Sequence, residues 1–257
     1  MTNATLLQRI IAKDGSLLQP SKPITAVDSS FLEENSKPHG YIYGTHGLDL
    51  SWIFVCFQLE DPFPVTLSDF WPPLATEPAA TNAAAATTTR LVHRSFASNP
   101  ECINGADAVS SGCVTLVSLL KEEIEGKRGG LPPIFVAPRS TYESPGSDLS
   151  PSLVTVWKEC PRSGIFFLGE LNKYVSLSPK RFRTLDCSEE GVVSTTVLGS
   201  MGEVIEITLL VPHSTWYEVV KENIMISDPV GLVRVDYRTN DSLHHSGNAA
   251  SETTADA

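Results

Sequence analysis

The chain has 257 residues, 41% of them hydrophobic, enough for one large domain or two small ones with a real core. Its formal net charge of -11, from 30 acidic and 19 basic side chains, argues against nucleic acid and anionic membrane as main partners, because both reward clustered Lys and Arg. No run approaches the ~18 apolar residues of a membrane helix, and the opening MTNATLLQRIIAKDG lacks the regions of a signal peptide, so a cytoplasmic protein is the default expectation.

In chain order, Leu6, Leu7, Ile10 and Ile11 predict one short amphipathic helix that stops at Asp14-Gly15. Its apolar stripe needs something to pack against. GYIYGTH and LSWIFVCFQL follow as strands, rich in aromatic and β-branched residues. Further strands are expected in TRLVHRSF, CVTLVSLL, PIFVA, SLVTVWKE, GIFFLG, YVSLS and KRFRTLDC. VVSTTVLG and EVIEITLLV read as a hairpin across Ser200-Met201-Gly202. In the second of these, Ile205, Ile207, Leu209 and Val211 alternate with Glu206, Thr208 and Leu210, which predicts one buried and one mostly polar face. WYEVVKENIMIS and GLVRVDY close a series that reads as an antiparallel β-sandwich over residues 38–238. Three segments are read as poorly ordered: a low-complexity insertion at 75–89, a Ser/Pro loop at Ser144–Ser152, and a polar tail at 239–257.

Candidate chemistry is sparse. Asp28, Asp49, Glu159, Glu170 and Asp186 lie near apolar strands but are scattered, so no pair stands out with the ~5–10 Å separation that glycoside chemistry uses. The histidines (His39, His46, His93, His213, His244, His245) show no ligand spacing, and neither a metal nor a cofactor is expected. KRGGLPP around Gly129 lacks the strand–loop–helix frame of a phosphate loop. Trp52, Trp71, Trp157 and Trp216 read chiefly as core anchors, with sugar stacking as the alternative. The five cysteines are odd in number and have no CxxC pair, so buried free thiols are expected; a Cys102–Cys113 bond is the alternative in an oxidising compartment. By residue chemistry alone, this is a β-sandwich without a self-contained active site.

LLQRIIAKDGSLLQPSKPITAVDSSF, Leu6 to Phe31, resembles a segment of the raffinose synthase and seed imbibition protein family, whose members are similar to alkaline α-galactosidases. The matching residues are the helix of the LLQRII kind, then Asp14, Gly15, Ser16 and Leu18, then Pro23, Asp28 and Phe31. More loosely, Phe54, Cys56 and Gln58, the strand RLVHRSF, the stretch SLVTVWKECPRSGIFFLGELNKYVSLS, and the closing VLGSMGEVIEITLLV and GLVRVDY resemble later strands of that family. Val27 stands where the family tends to have arginine, Phe57 splits its Cys-Gln pair, and the Ala/Thr insertion is foreign to it.

The resemblance implies that residues 1–37 are the end of a (β/α)8 barrel, a helix and loop left over before the sandwich. It implies galactosyl transfer from galactinol to sucrose, or to water, with galactosides such as raffinose as partners. The family's catalytic carboxylates lie N-terminal to the first matching segment, so the chain alone is expected to be inactive and no catalytic residue is assigned. Asp28 is the one substrate-binding candidate, facing the sugar site from a barrel-rim loop; capping of a local turn is its alternative. The competing functional readings are a non-catalytic carbohydrate-binding or interaction module and a structural β-domain unrelated to sugars.

Overall fold

The structure, a computed structural model, describes residues 4–20, 25–26, 41–48, 50–57, 63–65, 70, 88–95, 114–120, 135–137, 152–161, 163–188, 191–213, 217–237 and 244–246. Over these residues the chain is mainly β and every paired strand is antiparallel. The helix α1 (Ala4–Ile10) precedes the strands.

The largest sheet runs in the order β1 (Thr25–Ala26), β2 (Tyr41–His46), β3 (Ser51–Phe57), β8 (Ser152–Lys158), β5 (Thr88–Ser95), β6 (Thr115–Leu120). A three-stranded sheet places β12 (Val204–Pro212) between β13 (Tyr217–Met225) and β9 (Phe166–Gly169). A four-stranded sheet has the order β10 (Phe182–Cys187), β11 (Val193–Leu198), β14 (Leu232–Tyr237), β15 (His244–Ser246). β4 (Phe63–Val65) and β7 (Phe135–Ala137) pair with each other.

One apolar cluster joins the three larger sheets. Val92 and Trp157 enter it from the first, Phe166, Leu168, Ile205, Ile207 and Leu209 from the second, and Phe182, Val197, Val233 and Val235 from the third. Each large side chain buried there contributes roughly 1.5–3 kcal/mol relative to exposure. Aromatic edges fix the packing, with Phe167 on Phe182 at 5.6 Å and Phe166 on Tyr217 at 5.5 Å between ring centres. Trp52, at the far side, meets the edge of Phe70 at 5.1 Å. Trp52 and Trp157 are thus both core anchors.

Most expected strands are present, and several expectations need correction. VVSTTVLG and EVIEITLLV do not form a hairpin: β11 pairs with β10 and β14, whereas β12 pairs with β13 and β9. Each strand already has neighbours on both edges, so neither has a free edge for the other. The turn between them is real, closed by Glu203 N–H donating to Ser200 O at 2.8 Å, but it carries the chain from one sheet to the next. The central place of β12 also explains why Thr208 and Leu210 are buried beside Leu209 and Val211, while only Val204 and Glu206 keep the exposed alternation.

YVSLS, expected as a strand, is an irregular loop. Three of its carbonyls are taken by turn and loop contacts: Ser176 O accepts Glu170 N–H at 3.0 Å, Leu177 O accepts Leu48 N–H at 2.6 Å from the turn after β2, and Ser178 O accepts Phe182 N–H at 2.8 Å. Gly169 makes the entry to this loop, with φ of 75°, and a Cβ there would collide with the Ser176 carbonyl. In the segment read as a disordered tail, His244–Ser246 adds β15 to β14.

α1 ends at Ile10, and Ile11 bridges to Leu17 across the Asp14-Gly15 turn. Leu7 remains 38% exposed, while Ile10 and Ile11 are half-buried. The helix is seated on the chain's own 170s loop: Lys173 Nζ donates to Gln8 O at 2.5 Å and Ile11 O at 2.9 Å, and Tyr174 N–H donates to Arg9 O at 3.0 Å. A cation on the last carbonyls is the favourable charge for a helix C-terminus. Among the described residues no helix is long and apolar enough to cross a membrane.

Two of the cysteines expected as free thiols, Cys160 and Cys187, form a disulfide with a Cα–Cα distance of 5.6 Å. Cys160 lies just beyond β8 and Cys187 ends β10, so the bond ties the first sheet to the third; sequence spacing could not reveal a pairing that depends on how the sheets meet. Cys102 and Cys113 lie outside the described residues. Cross-linking across 27 residues restricts the unfolded chain by about 3–4 kcal/mol in the loop-entropy treatment. Cys160→Ser with Cys187→Ser is therefore expected to lose stability of that order in denaturant melts. Non-reducing peptide mapping should recover the two cysteines in one cross-linked species.

Candidate binding site

Strand register builds one wall of a cleft. Arg94 of β5 lies opposite Thr155 of β8, and Val92 lies opposite Trp157. Side chains two apart on a strand share a face, so Arg94, Thr155 and Trp157 stand side by side. The loop after Gly169 brings Leu171, Lys173 and Ser176 against them. Together these six residues line a shallow, partly open cleft whose sheltered space is about that of one water molecule. No carboxylate is among them.

Three of the polar groups here are buried and unsatisfied. Arg94 is 5% exposed, Trp157 2% and Ser176 3%. Among the described residues, Arg94 Nε, Trp157 Nε1 and Ser176 Oγ have no hydrogen-bond partner. Burial lowers the Arg94 pKa from its ordinary value, yet a guanidinium stays protonated at any working pH. A buried cation left without a hydrogen-bonded partner is costly.

Acidic residues gather elsewhere. Arg181, buried before β10, donates from Nε to Glu170 Oε2 at 2.9 Å, from Nη2 to Glu203 Oε1 at 2.7 Å, and from Nη1 to Leu198 O at 2.7 Å. Glu203 also accepts the Ser200 N–H at 2.9 Å and the Lys13 N–H at 3.4 Å. Burial raises the Glu170 pKa despite Arg181. Burial pushes Glu203 the same way, but the Arg181 and Ser200 hydrogen bonds overcome it and hold its pKa below the ordinary value. A second pair joins Glu159 to Arg90, with Oε2 accepting from Nε at 2.6 Å; Arg90 Nη1 also donates to the Tyr217 hydroxyl at 2.7 Å.

Of the acidic residues singled out in the sequence, Glu159 and Glu170 are therefore ion-paired, and Asp186 is exposed on β10. Asp28 and Asp49 lie outside the described residues. His213 meets Glu218 on the surface, with Nε2 and Oε2 2.9 Å apart. Among the described residues, no group of three His, Cys, Asp or Glu side chains is arranged to hold a metal ion. Arg181 and Arg94 were missed by sequence reasoning. Arg181 sits in KRFR, which looks like a solvated basic run, and Lys180 and Arg183 are indeed exposed; only the third dimension buries the residue between them.

Comparison with family models, with curated proteins and with solved structures finds no match to the chain.

These titratable groups give three stability expectations. Arg181→Met leaves two buried carboxylates unpaired and should cost about 3–5 kcal/mol in chemical denaturation at neutral pH. Because the folded pKa of Glu203 lies below its ordinary 4.5, its stabilisation is complete above that pH and is lost as pH falls through the folded value. Glu203→Gln should therefore destabilise at pH 7 and flatten this part of the acid limb. His93, on the other face of β5 from Arg94, has its pKa lowered from 6.5 to about 4 by burial. Between those values the unfolded chain binds a proton that the folded one refuses, so stability falls as pH drops from 6.5 towards 4. In His93→Phe, that segment of the stability–pH curve should lose its slope.

Proposed function

We propose that the antiparallel sheets form a β-sandwich, and that the chain is the C-terminal, non-catalytic part of a raffinose synthase-type enzyme that transfers or hydrolyses α-galactosyl groups. The observation that carries this reading is the Leu6-to-Phe31 motif, followed by an almost uninterrupted series of antiparallel strands. The state of the acidic side chains supports the non-catalytic part. A glycosidase needs two carboxyl groups about 5–10 Å apart with a sugar between them. Glu170 and Glu203 flank a guanidinium instead, and Glu159 is held by Arg90. On this reading Asp28 accepts hydrogen bonds from sugar hydroxyls in the complete enzyme, with galactinol, sucrose or raffinose as the sugars.

A cytoplasmic setting, expected from the opening residues, requires the Cys160–Cys187 bond to survive a reducing pool that opens most accessible disulfides. Complete burial of Cys160 shields one of its sulfurs.

The purified chain is expected to show no hydrolysis of aryl α-galactosides and no transfer from galactinol to sucrose. Turnover abolished by a single Asp or Glu substitution would overturn the non-catalytic assignment. In a chimera joining an active family barrel to this chain, Asp28→Asn should lower kcat/KM several-fold at unchanged Tm. Unchanged kinetics at the same Tm would remove Asp28 from the sugar site. Saturable raffinose binding by the isolated chain would favour the competing carbohydrate-binding module.

A further inference from the structure

We propose that the cleft between the large sheet and the 170s loop binds a small anion, held by Arg94, Trp157 and Ser176. The proposal is independent of the galactoside reading. Its basis is the chemistry of the lining, which is a mismatch unless something occupies it.

An indole N–H and a guanidinium N–H are donors only, and a serine hydroxyl can donate as well. All three are more than nine-tenths buried and lack a partner among the described residues. A neutral sugar hydroxyl would bring its own proton into a site already crowded with protons. Chloride, or an oxygen of a carboxylate or phosphate, brings only lone pairs and the missing negative charge. Charge-assisted bonds of this kind are roughly twice as strong as neutral ones.

Location sharpens the choice. Lys173 adds a second cation to the lining, although its Nζ is also engaged with the end of α1. The chain as a whole carries a formal net charge of -11, whereas the described residues lining this cleft include two cations and no acid. The buried described carboxylates Glu159, Glu170 and Glu203 are paired with Arg90 and Arg181 rather than with Arg94. The free space beside the donors is about that of one water molecule, which fits a monatomic anion or a single projecting oxyanion group. A water could fill the space but could not neutralise the charge.

The inorganic and organic sources share this chemistry and differ in size. The test is a titration of the full chain, 15N-labelled, with sodium chloride, sodium acetate and sodium phosphate in turn. The same salt series run on Arg94→Met and Ser176→Ala reports the general effect of ionic strength, against which the site's own response is read. The readout is the indole N–H signal of Trp157, assigned by its loss in Trp157→Phe. A saturable shift is expected with at least one probe. Chloride alone indicates a bound inorganic ion, whereas a tighter response to acetate or phosphate indicates the head of an organic acid or phosphate ester.

Arg94→Met should weaken the response by roughly tenfold or more, since it removes the charge while keeping the length. It should also make Tm insensitive to the anion, because linkage disappears with the site. Ser176→Ala, a smaller change that keeps the fold if Arg94→Met does not, should weaken binding several-fold. The absence of a saturable shift with all three probes overturns the proposal. So does a shift of equal midpoint in folded Arg94→Met or in Ser176→Ala.

Discussion

The ion-paired guanidinium of Arg181 is the constraint on which the rest of the fold depends. One buried side chain reaches the carboxylate that follows β9, the last carbonyl of β11 and the carboxylate that opens β12. Through Glu203 it also meets the backbone of Lys13, just beyond α1. Four separate pieces of chain are thus registered by one planar, five-donor group. The arrangement is specific rather than strongly stabilising, because the desolvation of three charges offsets much of their attraction. Its value lies in forbidding alternatives: any slip of β12 against β9 would strand a buried charge.

Once that node is in place, the 170s loop has little freedom. Gly169 turns the chain back on itself, Leu177 receives the turn after β2, and Lys173 closes the end of α1. The same loop then forms the second wall of the Arg94 cleft. The cleft is a by-product of how two sheets are bridged, and its polar lining is fixed by register on one side and by a hydrogen-bonded loop on the other. This is the sort of rigid support that a binding site needs to hold donors in place without a ligand.

Much of the architecture was legible in the sequence, because period-2 patterns and β-branched runs mark strands whatever they pair with. SLVTVWK, FFLG and VIEITLLV announced themselves this way. Pairing was less legible. The Ser200–Gly202 turn has the composition of a hairpin, and only the edge occupancy of β11 and β12 shows that it joins two sheets. YVSLS alternates like a strand, yet its backbone is spent on the turn around Gly169. The site was almost invisible. Arg94 lies in LVHRS, a pattern indistinguishable from a strand with one solvated face, and the burial of its charge depends on a loop some eighty positions later in the chain, at Ser176. The Cys160–Cys187 bond was hidden for the same reason, since it records the meeting of two sheets rather than any local spacing.

The order of the large sheet has a consequence for the chain during its synthesis. β8 sits between β3 and β5, although β5, β6 and β7 are all made before it. Until Ser152–Lys158 has emerged, the edge of β3 that carries Phe54 and the edge of β5 that carries Val92 have no neighbour to cover them. Unpaired, apolar edges are templates for pairing with another chain. A nascent polypeptide of this protein therefore passes through a long interval as an open-edged half-sheet. That interval ends only when a single late strand is threaded into the gap, which makes SLVTVWK the keystone of biogenesis as well as the middle of the finished sheet.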